Sequence, residues 1–173
     1  MGDGPGPDAA SSPRIEREGA RVLLFDGHGR MLLLRGHDPH LPDRSWWFTP
    51  GGGLDAGESP REAAARELAE ETGHLVGSAS LVGPVWERTA FFDFLSRPYV
   101  QHEWFFVAHV DDADEGDARW TATEEETLDE VAWLTYEELV AAEIEIFPAQ
   151  LREPWESLRV WDGTLRRLGT VEE

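Results

Sequence analysis

The stretch from Gly52 to Gly73, GGLDAGESPREAAARELAEETG, decides the reading of this chain. An α-helix turns about 100° per residue. With Glu67 at zero, Glu70 lies about 60° to one side and Glu71 about 40° to the other. Three carboxylates therefore crowd one narrow stripe, and Ala65, Leu68, Ala69 and Thr72 are left for a side that faces a core. Like charges at these spacings repel and weaken an isolated helix. A hard divalent cation such as Mg²⁺ takes oxygen ligands and would turn that repulsion into binding.

The ends of the helix are marked just as clearly. Ser59 stands at the N-cap, Pro60 at the first helical position and Glu62 two residues later, which completes a capping box. Gly73 stands where a left-handed residue would stop the helix. The spacing predicts a helix of about three to four turns carrying the acidic stripe in its C-terminal half.

These residues resemble the Nudix box, whose pattern is G-x5-E-x7-R-E-U-x-E-E-x-G-U, with U a bulky aliphatic residue. Gly52, Glu58, Arg66, Glu67, Leu68, Glu70, Glu71 and Gly73 fall on it in register, and only His74 departs, where the pattern asks for an aliphatic side chain. Leu75 follows and can supply that apolar contact. The approach WWFTPGGG, Trp46 to Gly53, is also similar to that family. A glutamate-rich helix face on its own is usually a solvated face; the joint match with Gly52, Glu58 and Arg66 is what separates this one from that reading.

The resemblance implies the Nudix fold, an α/β/α sandwich in which a mixed β-sheet lies between helices. It also implies a Mg²⁺- or Mn²⁺-dependent hydrolase acting on the diphosphate of a nucleoside diphosphate linked to another group. On that basis Glu67, Glu70, Glu71 and the Gly51 carbonyl are the metal-ligand candidates. Glu67 and Glu71 form an i,i+4 pair, and Glu70 is a further ligand or the base. Arg66 is expected to serve catalysis by holding a box glutamate in place through a charge-assisted hydrogen bond. The family often adds an acid from outside the box. Glu103, in QHEWFF, is the candidate, because strand alternation puts it on one face with Phe105 and Val107. Arg35, Arg88 and Arg97 are candidates for pairing with phosphate, and Trp47, Trp46, Phe91 and Tyr99 for stacking on a base. The expected substrate-binding set is Arg35, Arg88 and Trp47.

Composition bounds the rest. The 173 residues suit one domain, expected over 15–168, between a disordered tail at 1–14 rich in Gly, Pro, Ser and Asp and a short C-terminal tail at 169–173. There is no cysteine, which excludes thiolate nucleophiles, disulfides and zinc–thiolate sites. No apolar run reaches transmembrane length and the first residues lack a signal-peptide core, so a cytoplasmic protein without a membrane partner is expected. The net charge of −20, with every basic residue an arginine, argues against a nucleic-acid polymer and for a small nucleotide whose charge is neutralised locally. A homodimer is compatible with all of this.

Along the chain, Ala20–Asp26 and Arg30–Arg35 read as a hairpin around Gly27-His28-Gly29, and 36–45 as a polar loop. Leu81–Phe94 and Tyr99–Val110 read as two long strands, 111–127 as an exposed acidic loop, Val131–Leu134 as a strand, Tyr136–Ala142 as a helix and 148–168 as partly helical. Pro84 lies too soon after the box to be the proline that marks ADP-ribose-type relatives, and the tyrosine of the diadenosine type is missing. A nucleoside triphosphate, modified or not, is the leading substrate by elimination. An ADP-ribose or dinucleotide pyrophosphatase is one alternative, and a non-catalytic nucleotide sensor is the other.

Overall fold

In the computed structural model, which describes residues 13–111 and 118–173, a curled mixed sheet carries helices on both faces. Residues 1–12 of the expected tail lie outside the described residues. The first hairpin joins β1 (Ile15–Phe25) to β2 (Met31–Asp38). Asp26 holds its turn, accepting from the backbone N–H groups of His28 and Arg30 at 2.9 and 2.8 Å and from the Arg30 guanidinium at 2.7 Å.

Strand β3 (Leu41–Phe48) follows at once. The segment 36–45 is therefore not the expected loop: β2 runs on to Asp38 and β3 starts at Leu41. Buried Asp38 closes this turn by accepting from His40 N–H and from Leu95 N–H, each at 2.8 Å. A polar string reads as loop, but here one aspartate satisfies the turn's backbone donors from within.

The short strand β4 (Gly51–Gly53) pairs with β1 at Gly19, Ala20 and Arg21 and leads into α1 (Pro60–Thr72). The Ser59–Glu62 capping box forms, and Gly73 ends the helix with φ +74°. Strands β5 (Val82–Phe94) and β6 (Arg97–His109) make a long antiparallel hairpin, and β6 runs parallel to β1 from Ile15–Tyr99 to Phe25–His109. Helix α2 (Ala122–Thr127), strand β7 (Leu128–Leu134), helix α3 (Tyr136–Ala141), strand β8 (Glu145–Phe147), helix α4 (Glu156–Arg159) and strand β9 (Arg166–Glu172) complete the described chain. The strand order is β8-β3-β2-β1-β6-β5-β9, with β4 also on β1 and β7 also on β2.

The period-two pattern of the strands divides the core. Ala20, Val22, Leu24, Phe106 and Ala108 pack against Ala63, Ala64 and Leu68 of α1. Leu23, Phe25, Phe105 and Val107 face the other way, towards Leu139, Leu151, Trp155 and Leu158. This layering is the expected sandwich. The C-terminal segments complete the comparison with the sequence reading. The region 148–168 is helical in part as read, with a 3₁₀ turn at Ala149–Arg152 and the single turn of α4, and β9 begins at its end. The expected C-terminal tail at 169–173 is not a tail: β9 pairs in parallel with β5 as far as Phe91–Glu172, and Glu173 N–H donates to Phe91 O at 2.9 Å. Its alternation is weak and mostly polar, so it carries little strand signal in sequence. None of the described helices is long and apolar enough to cross a membrane.

Candidate active site

The site forms where the glycines of β4 meet the C-terminal half of α1. Gly51, at φ +146°, adopts a conformation that L side chains rarely take, and its N–H donates to Glu71 Oε2 at 2.8 Å. Gly52 lies directly beneath Glu67, with no room between them for a side chain. Glycine here is a requirement of close approach, and the box loop serves as the floor of the site.

The three box glutamates do not act alike. Glu71 is buried and turned inward, Glu67 is half-buried beside it, and Glu70 points out with its side chain 49% exposed. Glu70 instead meets Arg66 at 3.2 Å. The third member of the inner cluster is Glu124: carboxylate oxygens of Glu67, Glu71 and Glu124 lie within 4.8 Å of one another. Glu124 belongs to the acidic stretch read as an exposed loop. It is delivered by α2, whose own capping box joins Thr121 and Glu124. The approach to α2 is pinned to the end of α1, where Arg119 N–H donates to Glu70 O at 2.6 Å and Trp120 Nε1–H to Glu71 O at 2.8 Å.

Burial pushes the Glu71 carboxyl well above the usual carboxylate range, the Gly51 N–H opposes this, and the charge of Glu67 adds to it. Burial likewise raises Glu67, against the pull of Arg66. Three converging carboxylates, two of them with their charged forms disfavoured by burial, make an all-oxygen donor set that a divalent cation would satisfy. Glu67, Glu71 and Glu124 fit a hard cation; the Gly51 carbonyl stands in the same loop.

Arg66 is the organiser. It donates to Glu58 at 2.9 Å through Nε and through Nη2, to Glu67 at 2.7 Å and to the Gly53 carbonyl at 3.0 Å. The hydrogen bonds it donates to Glu58, and then to Glu67, raise its pKa further and keep its guanidinium charged. It thus ties the box loop to the helix, the positioning part read for it from sequence.

A cavity of about 360 Å³ opens above the cluster. Arg17, Arg21, Arg44, Arg88 and Glu103 line it, with Trp46, Phe48, Phe92 and Phe147 as its aromatic wall. Glu103 is buried on the face it shares with Phe105 and Val107. It accepts from Arg21 Nε at 2.5 Å, from Arg88 Nε at 2.6 Å and from Gln101 Nε2 at 2.6 Å. Burial would raise its carboxyl, but Arg21 and Arg88 outweigh burial and hold it down to about 2. Glu103, the acid expected from outside the box, thus braces two arginines at the wall of the cavity.

The expected substrate contacts separate. Arg88 lines the cavity. Trp47 is buried in the core, and its half-buried neighbour Trp46 faces the cavity instead. Arg35 lies outside the lining and approaches Glu130 at 3.7 Å. Glu124, Arg21 and Gln101 escaped the sequence reading. The T-x-x-E spacing of Thr121 and Glu124 was the one local signal for α2.

The family model for the NUDIX domain matches residues 16–153, most of the chain. The chain belongs to the NUDIX family. Among curated relatives it is 38% identical over 76 residues to a Bacillus subtilis protein named "Putative 8-oxo-dGTP diphosphatase", covering 44% of this chain and 47% of that one. It is 42% identical over 67 residues to an RNA pyrophosphohydrolase of Dinoroseobacter shibae, covering 38% of this chain and 40% of that one. The chain thus aligns with about half the length of these relatives or less. In fold it is similar to the crystal structure of a MutT protein from Bacillus halodurans, with a TM-score of 0.56, 23% identity and coverage of 90% and 89% of the two chains. That likeness supports the NUDIX fold.

Proposed function

We propose that this NUDIX protein hydrolyses a diphosphate bond of a small nucleotide, with a divalent cation held by Glu67, Glu71 and Glu124. The observation that carries this reading is the convergence of those three carboxylates beneath an arginine-lined cavity. Such a cation polarises phosphoryl oxygens and lowers the pKa of bound water. The overall reaction adds water across the phosphoanhydride: one phosphorus gains the oxygen of water, and the other phosphate leaves with the bridging oxygen.

The chain's own part is positioning and electrostatics, which carry most of phosphoryl transfer. The glycine backbone of β4 lets a phosphate come close to the cluster. Arg66 fixes Glu67 from outside, and the cavity arginines offset the negative charge of the substrate. Trp46, Phe48 and Phe147 offer an apolar wall for a base. Glu70 stands outside the cluster and leans on Arg66, which weakens it as the further ligand or base.

A nucleoside triphosphate, modified or not, is the substrate class that best suits these features. A cavity of about 360 Å³ suits a mononucleotide-sized ligand. The charge of −20 disfavours a long RNA. The name of the B. subtilis relative points the same way. A pure sensor would not need the whole carboxylate set.

A panel of nucleotides supplied with Mg²⁺ tests the reading through release of phosphate or diphosphate. One nucleotide or more is expected to be turned over, with a fall of about a hundredfold or greater in Glu71→Gln, as when a key electrostatic group is lost. Tight binding of the panel without any turnover would replace the hydrolase with the sensor.

A further inference from the structure

One carboxylate in the cavity takes no part in this scheme. Glu173, just beyond β9, reaches back to line the same cavity as Glu67 and Glu71. It pairs with Arg88 through both terminal nitrogens: Nη1 donates to Oε1, and Nη2 to Oε2 at 3.2 Å. The side chains of Arg88, Glu103 and Glu173 are 3%, 1% and 13% exposed.

Glu103 sits between Arg21 and Arg88, one carboxylate against two guanidinium groups. Glu103 takes only the Nε of Arg88, and Glu173 takes the two terminal nitrogens, so the buried guanidinium keeps a partner on every side; a buried charge without one is costly. The parallel fork that Arg88 offers to Glu173 fits a phosphate as well as a carboxylate. Glu173 is also held in an unfavourable setting. Burial raises its carboxyl against the pull of Arg88, and the charge of Glu103 adds to the rise. The strand that delivers it is lightly anchored: five of its seven residues are exposed, Leu168 packs on the core, and its strand partner is β5.

We propose that Glu173 is an exchangeable counter-ion, its carboxylate occupying an anion subsite at Arg88 that a phosphate group of the ligand takes over. This rests on the proposed function for the identity of the substrate, while the exchange itself needs only a phosphate anion. Glu173 then acts on specificity. A diphosphate or triphosphate carries enough charge to displace it, and a monophosphate displaces it poorly. Return of Glu173 favours release of a product with fewer phosphates.

The test is metal-free calorimetry of the full chain with inorganic pyrophosphate, comparing wild type with Glu173→Gln and Glu173→Ala. Both variants are expected to bind pyrophosphate about tenfold more tightly, the effect of removing one competing charge close to the site. Unchanged or weaker binding in folded variants would overturn the proposal and leave Glu173 as a strut holding β9. If Glu173→Ala loses its fold, Glu173→Gln, which can still accept from Arg88, carries the comparison alone. Because no turnover is involved, a wild type that hydrolyses nothing sinks the hydrolase reading without touching this result. A turnover-competent enzyme with unaltered pyrophosphate binding in Glu173→Gln sinks only the exchange.

Discussion

Glu67 lies against the bare Cα of Gly52: a Cβ added there would stand 2.7 Å from the Glu67 Cδ and Oε1. The first glycine of the box and its first helical glutamate are thus a fitted pair. Gly52 makes the space in which the Glu67 carboxylate rests, and Arg66 keeps that carboxylate in place from the other side.

Gly52→Ala therefore tests position without touching any charge. The methyl group meets the end of a flexible side chain, so Glu67 is expected to swing away at little cost in stability. Melting temperature is expected to stay near that of the wild type, while Mn²⁺ affinity and turnover fall about tenfold to a hundredfold, the range for displaced support of a metal ligand. Retained metal affinity in a folded Gly52→Ala would mean that Glu67 is not a ligand.

Glu124 and Glu70 make a matched comparison. Both are glutamates near the end of α1, but Glu124 joins Glu67 and Glu71, whereas Glu70 is 49% exposed and leans on Arg66. Glu124→Gln is expected to cost about a hundredfold in turnover, the scale for loss of a key electrostatic group. Glu70→Gln is expected to cost clearly less. Steady-state rates at saturating Mg²⁺ and Mn²⁺ decide between them, and the reverse order would return Glu70 to the metal site.

How much of this was legible in sequence depends on how local each signal is. The box helix, its capping box and its terminal glycine lie within one short run, and each forms as read. Helical spacing also put Glu67, Glu70 and Glu71 on one stripe, but it could not say which faces inward. Packing of Leu68 and Ala64 against β1 and β6 turns Glu71 in and leaves Glu70 in solvent. Glu124 is distant in sequence from the box and sits in an acidic run, where one more glutamate carries no information. Only the anchoring of Arg119 and Trp120 to α1 brings it to the site. Glu103 was placed on the correct face by strand alternation. Its arginine partners come from β1 and β5, however, and cross-strand register is not written in either strand alone.

The brace around Glu103 predicts a pH signature in stability. Its carboxyl in the folded protein is held at about 2, below the value of about 4.3 expected in an unfolded chain. A lowered folded value stabilises above the unfolded pKa, and the gain is lost as pH falls through the folded pKa. Glu103→Gln is expected to cost about 3 kcal/mol near neutral pH, as when one partner of a buried ion pair loses its charge. The gap from wild type is expected to shrink as pH falls from about 5 towards 2. Urea unfolding of both proteins across that range checks this, and a gap independent of pH would show that the ionised form contributes no stability.

The central claim is that Glu67, Glu71 and Glu124 hold a divalent cation on which hydrolysis depends. The most direct measurement is phosphate or diphosphate release from the best nucleotide of the panel, first in excess chelator and then with Mg²⁺ or Mn²⁺ restored. The expected result is loss of turnover in chelator, full recovery on adding metal, and recovery in Glu71→Gln to no more than about a hundredth of the wild-type rate at any metal concentration used. Undiminished turnover in excess chelator would contradict the account.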